Sequence, residues 1–157
     1  MSFQTEVKSD KAAGIPGTPY TFGPEVITVK IADEAVTVGR FVFISDAASG
    51  GTVKNSGSGK PLGLAVLTKT EAGLDIVLAK ASMIVAPGNP VTIAERGGYF
   101  VLAAADAETG QAVFASLTDG SIVTGTPGQA VAGHVETIWK VAAPAPAGEA
   151  IPINTWR

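Results

Sequence analysis

The sequence predicts an all-β domain of about ten short strands, and three observations carry that expectation. Short runs rich in β-branched and aromatic residues recur along most of the chain. Turn formers separate them, with 19 Gly and 10 Pro spread out rather than pooled. No stretch of ten or more residues shows the 3.6-residue apolar period of a helix. Short strands at this spacing point to a sandwich or a barrel.

Residues 1–24 read as an extended arm, because Ala12-Ala13-Gly14-Ile15-Pro16-Gly17-Thr18-Pro19 has no period and is dense in turn formers. Residues 25–157 then form one β domain. Ile27, Val29 and Ile31 alternate with Thr28 and Lys30, as in a half-buried strand. Residues 36–44 (VTVGRFVFI) are apolar on both faces. Strand-like runs follow at 62–68, 74–79, 82–85, 91–93, 99–103, 112–116, 121–124, 130–135, 138–141 and 150–155. Residues 103–108 allow one short helical turn. The loop 55–59 and the pairs Gly97-Gly98, Pro127-Gly128 and Ala147-Gly148 break the chain between runs. Asp119-Gly120 between two apolar runs predicts a hairpin with a type I′ turn.

A chain of 157 residues fits one domain with a real core. Charged residues make up only 16% of it, against about 25% on average. So few charges leave little to cover a lone monomer, which implies surface buried against partners. The net charge is −3 and the eleven Lys and Arg are scattered singly, so no basic stripe is offered to nucleic acid. There is no cysteine, hence no disulfide or thiolate chemistry. Residues 1–8 carry no apolar signal segment, and charge-free runs such as 81–94 are too short and too broken by Pro and Gly to span a bilayer. The expectation is a soluble protein made in the cytoplasm, with no membrane partner.

Active-site constellations are missing. The one histidine, His134, has no cysteine near it, and a zinc site needs three or four ligands. Gly57-Ser58-Gly59-Lys60 fails the phosphate-loop pattern, since Lys54 stands where the first Gly belongs and Pro61 where Ser or Thr belongs. Asp46, Asp106 and Asp119 sit where turns favour Asp. The expectation is no enzyme, no catalytic residue, no cofactor and no metal. A hydrolase would need two carboxylates roughly 5–10 Å apart in a cleft.

Six blocks in order carry a family resemblance. They are the arm with Met1-Ser2-Phe3-Gln4 and Ala13-Gly14-Ile15-Pro16-Gly17; the strand Val36–Phe43 with its Val-Gly-Arg-Phe core; Gly59-Lys60-Pro61-Leu62-Gly63-Leu64; Ala81 to Thr92; Gly110 to Ala115 with the Asp119-Gly120 turn; and the tail at Trp139–Ala142 and Gly148–Trp156. Over most of its length the chain resembles the structural cement proteins, head decoration proteins of tailed bacteriophages and prophages. The resemblance implies a jelly-roll-like β-sandwich. It also implies binding to the outside of an assembled capsid, across joints between major capsid proteins, as a homo-oligomer (dimer or trimer) on the virion. A carbohydrate- or cell-surface-binding jelly-roll module of a virion is the alternative.

Seven residues are candidates for contact with the capsid or another copy. Phe3, Val7, Tyr20 and Phe22 are the apolar anchors of the arm. Arg40, within an apolar run, calls for a carboxylate partner across strands or at a subunit boundary. Trp139 and Trp156, the only two tryptophans, belong in the core near a sheet edge or at an oligomer interface.

Overall fold

The computed structural model describes residues 14–21, 23–67 and 83–156. The expected strand at 74–79 and the candidates Phe3, Val7 and Phe22 lie outside the described residues. Twelve strands form among the described residues, and no helix. β1 (Val26–Ala32), β3 (Phe41–Ile44), β4 (Thr52–Lys54), β5 (Gly63–Ala65) and β7 (Pro90–Arg96) close a small barrel in the order β1-β4-β3-β5-β7. β8 (Gly98–Leu102), β9 (Ala112–Ser116), β10 (Ile122–Gly125), β11 (His134–Val141) and β12 (Ala150–Asn154) form a second sheet in the order β10-β9-β11-β12-β8. β2 (Val36–Thr37) and β6 (Ile84–Val85) make a short ribbon.

The fold is all-β, as the sequence predicts, with one sheet closed into a five-stranded barrel and a second five-stranded sheet packed on it. Alternation in sequence identifies strands and their two faces, not their partners. Here β1 pairs antiparallel with β7 and parallel with β4, and that parallel contact closes one sheet on itself.

Two cores result, and they explain the run 36–44. Val42, Val53, Ala65, Val91 and Ile93 fill the barrel. Phe41, Phe43, Leu64 and Ala94, on the opposite faces of the same strands, pack with Tyr99, Val101, Val113, Trp139, Ile151 and Ile153 of the second sheet. β3, β5 and β7 therefore bury both faces, as their unbroken apolar sequence requires. Gly39, at φ +81°, breaks the run into β2 and β3, a conformation that side-chain-bearing residues rarely adopt.

Local differences have simple causes. The expected hairpin at Asp119-Gly120 exists, but its turn is not type I′: only Gly120 has positive φ (+66°), and its amide bonds Ser116 O at 3.0 Å across a four-residue loop. The two runs at 130–135 and 138–141 are one strand, β11, entered from a turn at 132–133. Residues 103–108 make single bridges to Ile122 and Ala145 instead of a helical turn.

Candidate docking surfaces

Residues 14–21 turn at Pro16-Gly17, where the Thr18 amide bonds Ile15 O at 3.0 Å, and lie along the free edge of β8. The Gly17 and Tyr20 amides bond Phe100 O and Gly98 O at 2.7 and 2.9 Å, and the Phe100 amide bonds Thr18 O at 2.9 Å. Tyr20 meets the Phe100 ring edge-on, with centroids 5.8 Å apart. This part of the arm is packed on its own domain. The edge strand it covers would otherwise present unpaired backbone groups.

Trp156 follows β12 and lies over Gly98 and Gly23: a Cβ on either glycine would come within 2.8–2.9 Å of the indole. Gly98 is thus the space the ring occupies, and the ring keeps 40% of its surface exposed. The outer face of β8 brings together two candidates, Tyr20 on Phe100 and Trp156 on Gly98, with Leu102 and Ile15 exposed nearby in the same two segments.

Arg40 stands in the turn between β2 and β3 rather than within a strand. Its guanidinium donates to Asp119 Oδ2 at 3.0 Å, so its partner belongs to the β9–β10 hairpin of the same chain. Of the two places expected for Trp139, the structure shows the core, on a central strand instead of near a sheet edge. Trp139 is 1% exposed in the middle of the second sheet, edge-on to Phe41 and Tyr99, and is neither at a sheet edge nor available to another molecule. A bulge puts it there. β11 pairs with β9 at Glu136↔Phe114 and then at Lys140↔Ala112, leaving residues 137–139 opposite Val113 alone. The Thr137 hydroxyl donates to Val113 O at 2.8 Å and accepts from the Trp139 amide at 3.2 Å, replacing the lost ladder bonds. The bulge turns Trp139 inward and leaves Ile138 exposed.

Strand β1 holds the largest surprise. Its apolar residues face out: Ile27, Val29 and Ile31 are 46, 58 and 41% exposed. Thr28 and Lys30 pair with Ile93 and Val91, whose side chains line the barrel core, and so point inward. The alternation was legible in sequence, but the side that meets the core was not.

Among the described residues no three His, Cys, Asp or Glu cluster to hold a metal. One groove of about 480 Å³, between residues 60–63 and β11, is lined by both Glu95 and Glu136. Each carboxylate is engaged structurally, Glu95 by the Thr28 hydroxyl at 2.5 Å and Glu136 by the Gly128 amide at 2.9 Å. His134 opens β11, with its Nδ1 2.9 Å from Ala132 O.

These features define an all-β protein with apolar and aromatic side chains exposed on its sheets. The same fold occurs in a chain of the solved capsid of Myoviridae Phage XM1, at TM-score 0.69 and 16% identity over 99% of this chain and 98% of that one. The N base of the head fiber gp8.5 of bacteriophage phi29 is similar at TM-score 0.50 and 14% identity, over 83% of this chain and 93% of that one. No curated protein matches the sequence. Residues 3–155 match the structural cement protein family (E217 gp24/Pam3 gp6), and the chain belongs to that family. It is a structural protein of the phage capsid.

Proposed function

We propose that this protein binds the outer surface of an assembled phage head, bridges joints between major capsid proteins, and holds them together against the pressure of packaged DNA. The observation that carries the reading is the outer face of β8 with its covering segments, where Ile15, Tyr20, Leu102 and Trp156 stand on a backbone tied down by three interstrand bonds. Aromatic and large apolar side chains on a rigid mount dominate interface energetics, because little conformational entropy is lost on binding. Each bridging molecule has to be peeled off before the subunits it joins separate. An oligomer touching several subunits multiplies weak contacts by avidity, by roughly 10²–10⁴.

The test is to mix the purified protein with expanded heads that lack it, sediment away unbound protein, and heat the shells. Saturable co-sedimentation with a raised disruption temperature is the expected result. Absence of binding to the cognate shell overturns the reading.

A further inference from the structure

We propose that the open edge of β11 at Glu136 and Ile138 takes an extended, basic segment of a capsid subunit as an added strand; the inference deepens the capsid reading and rests on it. The ladders show the edge. Gly133 O accepts from the Leu117 amide, and the Val141 amide donates to Gln111 O. The odd-numbered residues of β11 therefore turn their backbone groups to β9 on both sides of the bulge, and the even-numbered ones face the other way. On that other side β12 pairs with β11 only at Lys140 and Val141, followed by the Ala142 amide on Pro152 O. Carried on, the same register would set Ile138 against Trp156, but the ladder ends at Asn154 and the Trp156 ring lies over Gly98. Among the described residues no strand pairs with Glu136 or Ile138 on that side. Their N–H and C=O groups stand two residues apart, the repeat of a strand edge.

The groove of about 480 Å³ beside residues 60–63 runs along this edge. Val135 and Trp139, which face the core, line it together with Glu136 and Ile138 from the other face. Side chains of both faces border one groove only along the edge of a strand. The main-chain groups of such an edge are satisfied by another extended main chain, whose alternate side chains then reach pockets on the two faces. Charge narrows the occupant further. Glu95 and Glu136 line the groove against one cation, Lys60. Each carboxylate accepts one hydrogen bond, from Thr28 and from Gly128, and neither pairs with a cation among the described residues. A Lys or Arg on the incoming segment answers that balance, with its aliphatic stem on Pro61 and Leu62. Position agrees with this. β8 and β11 flank β12, about 10 Å apart, so a capsid subunit seated on the outer face of β8 reaches the edge of β11.

The experiment is hydrogen exchange on the full chain, free and bound to expanded heads that lack it, read by mass spectrometry on the peptide covering 134–139. In the free protein the Glu136 and Ile138 amides should exchange fast. On shells both should slow by about 100-fold or more, as amides paired in a sheet do. Ile138→Pro removes one of these donors at an edge the fold itself does not pair, so it should melt within a few degrees of the wild type yet bind shells about tenfold more weakly. The double variant Glu95→Gln, Glu136→Gln keeps an acceptor for Thr28 and for Gly128 and removes both charges. It should bind about threefold more weakly at low salt and lose part of the salt dependence. Shell binding with both amides still fast overturns the inference and leaves the capsid reading standing, as does a folded Ile138→Pro variant that binds like the wild type. A wild type that binds no shell overturns the reading and the inference with it. Amides already slow in the free protein also reject the capsid segment: slowing that grows with concentration puts a second copy on the edge, and slowing independent of concentration puts another part of the same chain there.

Discussion

Arg40 Nη1 lies 3.0 Å from Asp119 Oδ2, and this pair fastens the turn before β3 to the β9–β10 hairpin, tying the barrel to the second sheet. The bond does not act alone. The Phe41 amide bonds Gly120 O at 2.9 Å, the Gly57 amide bonds Leu117 O at 2.9 Å, and Asn55 Nδ2 bonds Phe41 O at 3.0 Å. Burial alone would raise the Asp119 carboxyl. Hydrogen bonds from Ser121 and Ser116, with the nearby Arg40 charge, outweigh it and hold the group at about 2.

A depressed carboxyl makes the junction acid-sensitive. The folded value of about 2 lies below the ordinary 3.8, so the contribution is present above about pH 4 and lost as pH falls through 2. Arg40 and Asp119 side chains are 40 and 48% exposed, so solvent screens the pair. Asp119→Asn should therefore cost about 1 kcal/mol or less at neutral pH. Melting temperatures from pH 6 down to pH 2 check this. The wild type should lose more on acidification than the variant, and parallel curves would show that the carboxylate carries nothing.

Gly120 allows the same contact. At φ +66°, an added Cβ would sit 2.1 Å from Phe41 O and 3.0 Å from Asn55 O, both backbone atoms that cannot swing aside. Gly120→Ala should cost about 3 kcal/mol or more, since strain and the broken junction add. Gly110 also has positive φ (+88°) but nothing within 4 Å, so Gly110→Ala should cost only about 1–2 kcal/mol. Urea unfolding of both variants separates steric from conformational cost. Equal losses would mean that the barrel does not press on the hairpin.

What the sequence discloses is limited by what alternation encodes. The all-β class, and family membership from the order of six blocks, were both readable. The run 36–44 was readable as apolar on two faces because β3 stands between two cores. The facing of β1 was not. A period of two says that Ile27 and Thr28 point opposite ways, and barrel closure decides which way is in. That closure depends on β4, three residues with too little pattern to announce a strand. The position of Trp139 was hidden for a similar reason, since a bulge shifts facing without changing composition. The partner of Arg40 lies 79 residues away, a pairing that one sequence cannot show.

Thr137 should be indispensable to the bulge. Its hydroxyl serves the Val113 carbonyl and the Trp139 amide, which have no ladder bond to each other. Thr137→Val keeps the shape but removes both bonds, at about 1–3 kcal/mol for the carbonyl left bare. Thr137→Ser keeps the hydroxyl and should restore most of the stability. Urea midpoints of the three proteins give the answer, and a Val variant as stable as the Ser variant would mean that water replaces the hydroxyl.

The two tryptophans should separate folding from docking. Trp139 is enclosed by Phe41 and Tyr99, so Trp139→Ala should cost about 3–5 kcal/mol and lower shell binding only through the fraction unfolded. Trp156 covers Gly98 and Gly23 from one side and leaves the other side exposed. Trp156→Ala should melt within a few degrees of the wild type yet bind shells at least tenfold more weakly, and Tyr20→Ala should act in the same direction because it stands on the same strand through Phe100. Co-sedimentation with shells, read beside thermal melts, checks both. If Trp156→Ala binds like the wild type, the outer face of β8 is not where this protein meets the capsid, and the exposed Ile138 beside the groove at residues 60–63 becomes the next surface to substitute.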